Sequence, residues 1–163
     1  GGVGHASATA AGYTVAACVV ANPVGSVVDP ATGLLYGDPS QPAVDLERFR
    51  RLGRPAPKLN TTIGVIATDA PLTKAQLKRI AMTGHDGIAR AVRPAHSPLD
   101  GDTLFAVSTA VDEAVEEAPV RDVEVLAVLG EAAAGAVQAA IVSAVVHADS
   151  AFGVTAWRDL VGR

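Results

Sequence analysis

The sequence predicts a layered α/β sandwich in a single domain, and three observations carry that expectation. Apolar β-branched runs and helix-periodic runs follow in the order strands, helix, strand, long helix, which suits helices stacked on a sheet. The composition is 49% apolar and rich in Ala, Val and Gly, with 4% aromatic residues, which suits closely approaching helices and strands. At 163 residues the chain can bury one real core, and it carries no internal repeat and no sign of a second domain.

Taken in order, residues 1–4 (GGVG) read as a glycine-rich turn. Residues 13–22 (YTVAACVVAN) form a continuous apolar run ending at Asn22-Pro23 and read as a fully buried strand. A second short strand is expected over 25–29, then a turn over 30–33 and a loop over 38–42. Residues 45–52 suit a short helix, and the Pro-rich, basic stretch 53–60 is a connector. It runs into a β-branched strand over 61–68. Thr73 is a natural helix N-cap, Gln76 completes a capping box, and Leu72 and Leu77 take the staple positions. That helix should stop near Arg93, just ahead of Pro94. After a turn-rich loop over 96–102, residues 103–109 read as another buried strand and 111–122 as an exposed acidic insertion. Residues 123–147 are a long Ala/Val helix buried on most sides. Residues 152–157 are a last short strand or extended tail.

Charge and motif content exclude several classes. A net charge of −4 without a basic stripe argues against nucleic-acid binding, because phosphate contacts need clustered Lys and Arg. Arg48, Arg50, Arg51, Arg54 and Lys58 read as a solvated helix end and connector. Cys18 is the single cysteine, is expected to be buried as a small hydrophobe, and fits a reducing cytoplasm. The longest uncharged run, 132–146, is shorter than the roughly 18–20 residues of a membrane span, and no secretory signal pattern opens the chain. His5, His85, His96 and His147 show no metal spacing and are expected to be structural or solvated, so no metal is expected. The glycine-rich opening lacks the Lys-Ser/Thr of a phosphate loop, and no serine sits in a Gly-x-Ser-x-Gly elbow. Because the chain starts inside a glycine-rich motif without Met, it is expected to be processed or partial, with part of the site upstream.

Three positions are candidates for chemistry. Thr61 follows Asn60 where the connector meets a strand. It is either the first residue of an ordinary strand or a hydroxyl freed by self-cleavage, with its new α-amine as base. Asp100 and Asp102 flank Gly101 in a loop leading into a strand, and alternation would point both the same way. They suit orientation of an amine and a hydroxyl, Mg²⁺ binding, or a solvated turn. Asn22, ending a strand before Pro23, is either an oxyanion donor or an Asx turn.

Five segments occur in order: GGVGHAS from Gly1, VANPVGSVVDP from Val20, NTTIGVIAT from Asn60, LTKAQ from Leu72 and DGDT from Asp100. Together they resemble the L-aminopeptidase/D-esterase (DmpA-like) family of N-terminal nucleophile hydrolases, which includes β-aminopeptidases and nylon-oligomer (6-aminohexanoate oligomer) endo-hydrolases. The resemblance implies an αββα sandwich made as a precursor that cuts itself between Asn60 and Thr61. Residues 1–60 would then end the α chain and 61–163 form the β chain. It implies Thr61 as nucleophile, Asn22 beside the site, and Asp100 and Asp102 orienting the nucleophile. Asp-x-Asp and a threonine nucleophile are like the nylon-oligomer branch, whereas many aminopeptidase members carry Ser-x-Glu at the pair. A tyrosine or lysine that other members contribute earlier in the α chain has no counterpart in this sequence. The implied substrate is a small peptide or amide oligomer, with no cofactor, and the implied assembly is a homo-oligomer of four αβ units. Rival readings are a non-catalytic αββα assembly, a small-molecule-binding protein, or an acyltransferase of related mechanism.

Overall fold

The computed structural model describes residues 1–52, 60–111, 115 and 119–162. Four strands form one sheet, in the order β1 (Gly2–Ala10), β2 (Tyr13–Ala21), β3 (Ile63–Thr68) and β4 (Thr103–Ser108). β1 and β2 are an antiparallel hairpin joined at Ala11 and Gly12, both at positive φ (49° and 83°), which matches the right-handed twist of paired strands. β2 and β3 are antiparallel and β3 and β4 parallel. A parallel pair needs a crossover, and helix α2 (Lys74–Ala91) supplies it. The chain also forms a short helix α1 (Leu46–Arg51) and a long helix α3 (Val123–Val146), which lies beside α2 and across β1 and β2.

Local chemistry explains both ends of α2. Thr73 and Gln76 form the expected capping box, and the helix stops at Ala91, two residues before the position expected from Pro94. The Asp45 side chain caps α1 and Asp122 caps α3. By length and composition α3 could cross a membrane. Here it is the core helix, with Leu129, Ala133, Val137, Ala140 and Ile141 buried under the sheet and α2.

Among the described residues, the helices cover one face of the sheet. Val15, Ala17, Val19 and Ala21 of β2, Ile66 of β3 and Leu104 of β4 meet them and are buried. The alternate residues line up across the strands on the opposite face. Val3 pairs with Val20 and Val20 with Ile63, while His5 pairs with Cys18, Cys18 with Val65 and Val65 with Phe105. This second face is apolar yet open: Val20, Ile63 and Phe105 are 50%, 48% and 57% exposed. The strands expected to be fully buried are therefore buried on one face within this chain. Cys18, expected to be buried, is exposed because it belongs to the open face.

Three other expectations change. Residues 1–4 do not form a turn; from Gly2 onward they are strand β1. Their glycines serve close approach instead. A Cβ on Gly4 would lie 2.1 Å from the Ala140 carbonyl oxygen, and one on Gly2 2.4 Å from that of Ala144. The 25–29 strand is reduced to two isolated bridges, Ser26 to Arg93 and Val28 to Leu35. The last stretch makes a tight Ala151–Val154 turn and a 3₁₀ helix, Trp157–Asp159, before Val161 pairs with Val44. The connector at 53–59, with Arg54 and Lys58, and residues 112–114 and 116–118, which hold Asp112, Glu113, Glu116 and Glu117, lie outside the described residues.

Candidate active site

Topology gathers the three candidate segments at one end of the sheet. β2 runs opposite to β3, and β3 parallel to β4, so the last residues of β2 meet the first residues of β3 and β4. Asn22 lies just past β2, Asn60 to Thr62 just before β3, and Asp100 to Asp102 just before β4. Asn60 bridges Asp100 as a parallel partner, extending the β3–β4 pairing. The Thr61 amide donates to the Asn22 carbonyl at 2.9 Å, which extends the β2–β3 ladder. All four residues expected at the site are thus brought together.

Two threonines adjoin the junction, and burial separates them. Thr62 is 0% exposed, whereas Thr61 is half-buried. Thr61 Oγ1 lies over Gly101, where an added Cβ would stand 2.8 Å from it. The Gly101 amide donates to the Asn60 carbonyl at 3.0 Å. The hydroxyl and the preceding carbonyl therefore share one neighbour, whose lack of a side chain leaves the hydroxyl its space. Gly101→Ala is expected to displace the hydroxyl and slow any reaction at Thr61 by about 10²-fold, with the fold retained. The single-turnover rate together with a circular-dichroism spectrum checks this.

The carboxylates hold the scaffold around Thr61. Asp100 Oδ1 accepts from the Val24 amide at 2.9 Å, and its Oδ2 accepts from the Ser97 hydroxyl at 2.8 Å and the Ser97 amide at 3.2 Å. Asp102 Oδ1 accepts from the Thr62 amide at 3.0 Å, and its Oδ2 lies 2.9 Å from His96 Nδ1. Among the described residues these bonds go to the neighbours of Thr61 rather than to Thr61 itself. The Asn60 side-chain amide donates to the Pro23 carbonyl at 3.2 Å. Asn22 contributes its backbone carbonyl, and its side chain faces solvent.

Sequence reasoning missed Gly101 as a donor, Ser97 as a partner of Asp100 and His96 as a partner of Asp102. The signal was their shared loop, but a turn-rich loop gives no direction to its side chains. Among the described residues no cluster of His, Cys, Asp or Glu has the make-up of a metal site.

His85, on α2, lies with its ring centroid 5.0 Å from that of His96. Burial, and then the neighbouring His96, hold its imidazole below the usual histidine value, with Asp102 and Asp86 pulling the other way. The unfolded chain therefore binds a proton where the folded chain does not. Stability is therefore undiminished above about pH 6.5 and is lost as pH falls from there through the depressed value of the folded state. Denaturant midpoints measured downward from neutral pH should fall less steeply in His85→Gln than in the wild type.

The model of Peptidase family S58 matches residues 1–157. Among curated proteins, an uncharacterized aminopeptidase of Mycobacterium bovis is 42% identical over 98% of this chain and 52% of its own length. A 6-aminohexanoate-oligomer endohydrolase of a Kocuria species is 36% identical over 58% of this chain and 29% of its own length. The chain spans about half the length of the Mycobacterium bovis relative it matches. Among solved structures, the L-aminopeptidase D-Ala-esterase/amidase of Ochrobactrum anthropi, a variant of the Ntn hydrolase fold, superposes with a TM-score of 0.65 at 28% identity. That match covers 94% of this chain and 42% of the other. A β-aminopeptidase of a Burkholderia species superposes with a TM-score of 0.63 at 31% identity, over 90% and 42% of the two chains. The layered α/β fold is accordingly of the Ntn hydrolase type, and the described residues supply one sheet and one helical layer of it.

Proposed function

This chain belongs to peptidase family S58, and we propose that it is a self-processing amidohydrolase in which Thr61 is both the point of chain cleavage and the nucleophile. One observation carries the reading. The Asn60 carbonyl receives a hydrogen bond from the Gly101 amide at 3.0 Å while the hydroxyl of the next residue lies over the same glycine. A carbonyl held by a backbone N–H beside a half-buried hydroxyl is arranged for attack, because the donor can stabilise the developing oxyanion.

In the first reaction Thr61 Oγ attacks the Asn60 carbonyl carbon, the Asn60–Thr61 C–N bond breaks and the Oγ proton passes to the nitrogen, leaving an ester on Oγ and a free Thr61 α-amine. Water opens that ester, releasing the Asn60 carboxylate and restoring the Thr61 hydroxyl. An α-amine is by nature far closer to neutrality than a lysine amine, so the freed group can serve as a base. In the second reaction the amine takes the Oγ proton as Oγ attacks a substrate amide carbonyl, and returns it to the departing amine. Water then releases the acyl group.

The Asn22 carbonyl, already an acceptor for the Thr61 nitrogen at 2.9 Å, holds the freed amine in place. The Asn22 side-chain amide, exposed at the same rim, is the candidate donor to the substrate oxyanion. Asp100 and Asp102 fix the two flanking backbone segments through Val24 and Thr62. The pairing from Val15–Thr68 to Val20–Ile63 joins β2, before the cut, to β3, after it. Cleavage therefore leaves the fragments in one sheet. Assembly into αβ oligomers belongs to the same proposal, supported by the open apolar face, which calls for cover by further polypeptide. A cytoplasmic setting is supported by the lone Cys18, which has no internal partner.

The substrate class follows from the relatives named as aminopeptidases and as a 6-aminohexanoate-oligomer endohydrolase. Incubation with aminoacyl p-nitroanilides and with 6-aminohexanoate oligomers, followed by chromatography, tests it. Release of free amine and acid from either series is expected. Absence of turnover on both, by protein cut before Thr61, would oppose an amidohydrolase.

A further inference from the structure

We propose that His96 is a positioning residue for the nucleophile, acting through Asp102; this rests on the reading of Thr61 given above. The peptide that carries the Thr61 side chain is pinned on both sides. Its own nitrogen donates to Asn22, and the following nitrogen, that of Thr62, donates to Asp102 Oδ1. Asp102 is nearly enclosed, its side chain 5% exposed, and its only other described partner is the His96 ring at Oδ2. An aspartate carboxylate rotates softly about its last torsion, so one hydrogen bond leaves its plane free and a second fixes it.

His96 is itself held to meet Asp102. Its φ is 55°, in the left-handed region that is uncommon for residues bearing a side chain, histidine being, with asparagine and aspartate, among those found there more often. Its Nε2 lies 3.3 Å from the His85 carbonyl oxygen, and its ring leans on the His85 ring. Both ring nitrogens thus face oxygen acceptors, so a ring carrying protons on both satisfies the carboxylate and the carbonyl together. A side chain kept in a left-handed backbone conformation, bonded to a near-buried carboxylate, ends a chain of contacts at the peptide that bears the nucleophile.

Two substitutions in the intact protein separate positioning from structure. His96→Asn keeps tolerance of the left-handed backbone and places an amide N–H where Nδ1 stands. His96→Gly accepts the backbone but offers no donor. His96→Gly is expected to lower kcat by about 10²-fold with KM little changed, and His96→Asn to restore most of that loss. Equal losses in the two variants, or a loss confined to KM, would overturn the proposal.

A second measurement does not depend on activity. In the Thr61→Ala protein, the NMR chemical shifts of the His96 ring, read at one fixed pH, are expected to move when Asp102→Asn is added, because the 2.9 Å contact to Nδ1 is altered. No movement would also overturn the proposal. If the wild type proves inert while those ring shifts move, the failure lies with Thr61 as nucleophile, and the positioning role falls with it although the pair exists.

Discussion

Thr61→Ala is expected to leave the polypeptide in one piece and to lower amide hydrolysis by at least about 10⁴-fold, since both the nucleophile and the source of its base are removed together. Thr61→Ser keeps a hydroxyl at the same place and should keep both reactions. Thr62→Ala offers the internal control. Thr62 is wholly buried, so its loss should affect stability and not the identity of the cut. If Thr61→Ala were processed normally, or Thr62→Ala blocked processing while remaining folded, the nucleophile would be assigned wrongly. Intact mass and a steady-state assay on the three variants decide this.

Gly4→Ala is expected to produce the largest loss of stability among conservative changes in β1. The added Cβ would stand 2.1 Å from the Ala140 carbonyl oxygen and 2.3 Å from the Ala144 nitrogen. Both are backbone atoms of a long helix and neither can rotate aside, so α3 must lift from the sheet. Overpacking of a rigid contact costs about 1–3 kcal/mol, and a valine, which is larger still, should exceed the alanine. Because α3 carries Leu129, Val137 and Ile141 of the core, lifting it loosens contacts well beyond β1. Chemical denaturation of wild type, Gly4→Ala and Gly4→Val should give midpoints falling in that order. An unchanged midpoint for Gly4→Ala would show that the close approach is not real.

The same glycine marks a limit of reading from sequence. Gly1, Gly2 and Gly4 look like turn punctuation, because glycine's freedom of φ is what a local reading registers. Here Gly2 and Gly4 sit in an extended strand, and what matters is the helix backbone that arrives from residues 140–144. Nothing local announces that partner. The apolar runs of β2, β3 and β4 were legible as strands, since their β-branched composition is a property of the segment itself. Their one-sided burial was not, because the run cannot say which face this chain covers. Cys18 was misplaced for that reason. Helix α2 was the most legible element, with its capping box and its stop both written within a few residues.

Site legibility divides along the same line. Asn22, Asn60, Thr61, Asp100 and Asp102 were singled out because each borders an apolar run and lies in one of the ordered motifs, and strand pairing brings those positions together. The roles of the aspartates in holding Val24 and Thr62, the Gly101 donor and the His96 contact depend on loop geometry. A turn-rich loop such as 96–102 fixes that geometry only once it is docked against β3 and α2. His96 illustrates the point: four histidines without metal spacing gave no reason to prefer one, and a left-handed backbone angle picked it out.

The most direct measurement is the intact mass of the purified wild-type protein together with identification of its N-terminal residues. Self-processing at Thr61 predicts two polypeptides held in one folded particle, the second beginning at Thr61. A preparation that hydrolyses amides while remaining a single uncut chain, or one cut at any other bond, would contradict it.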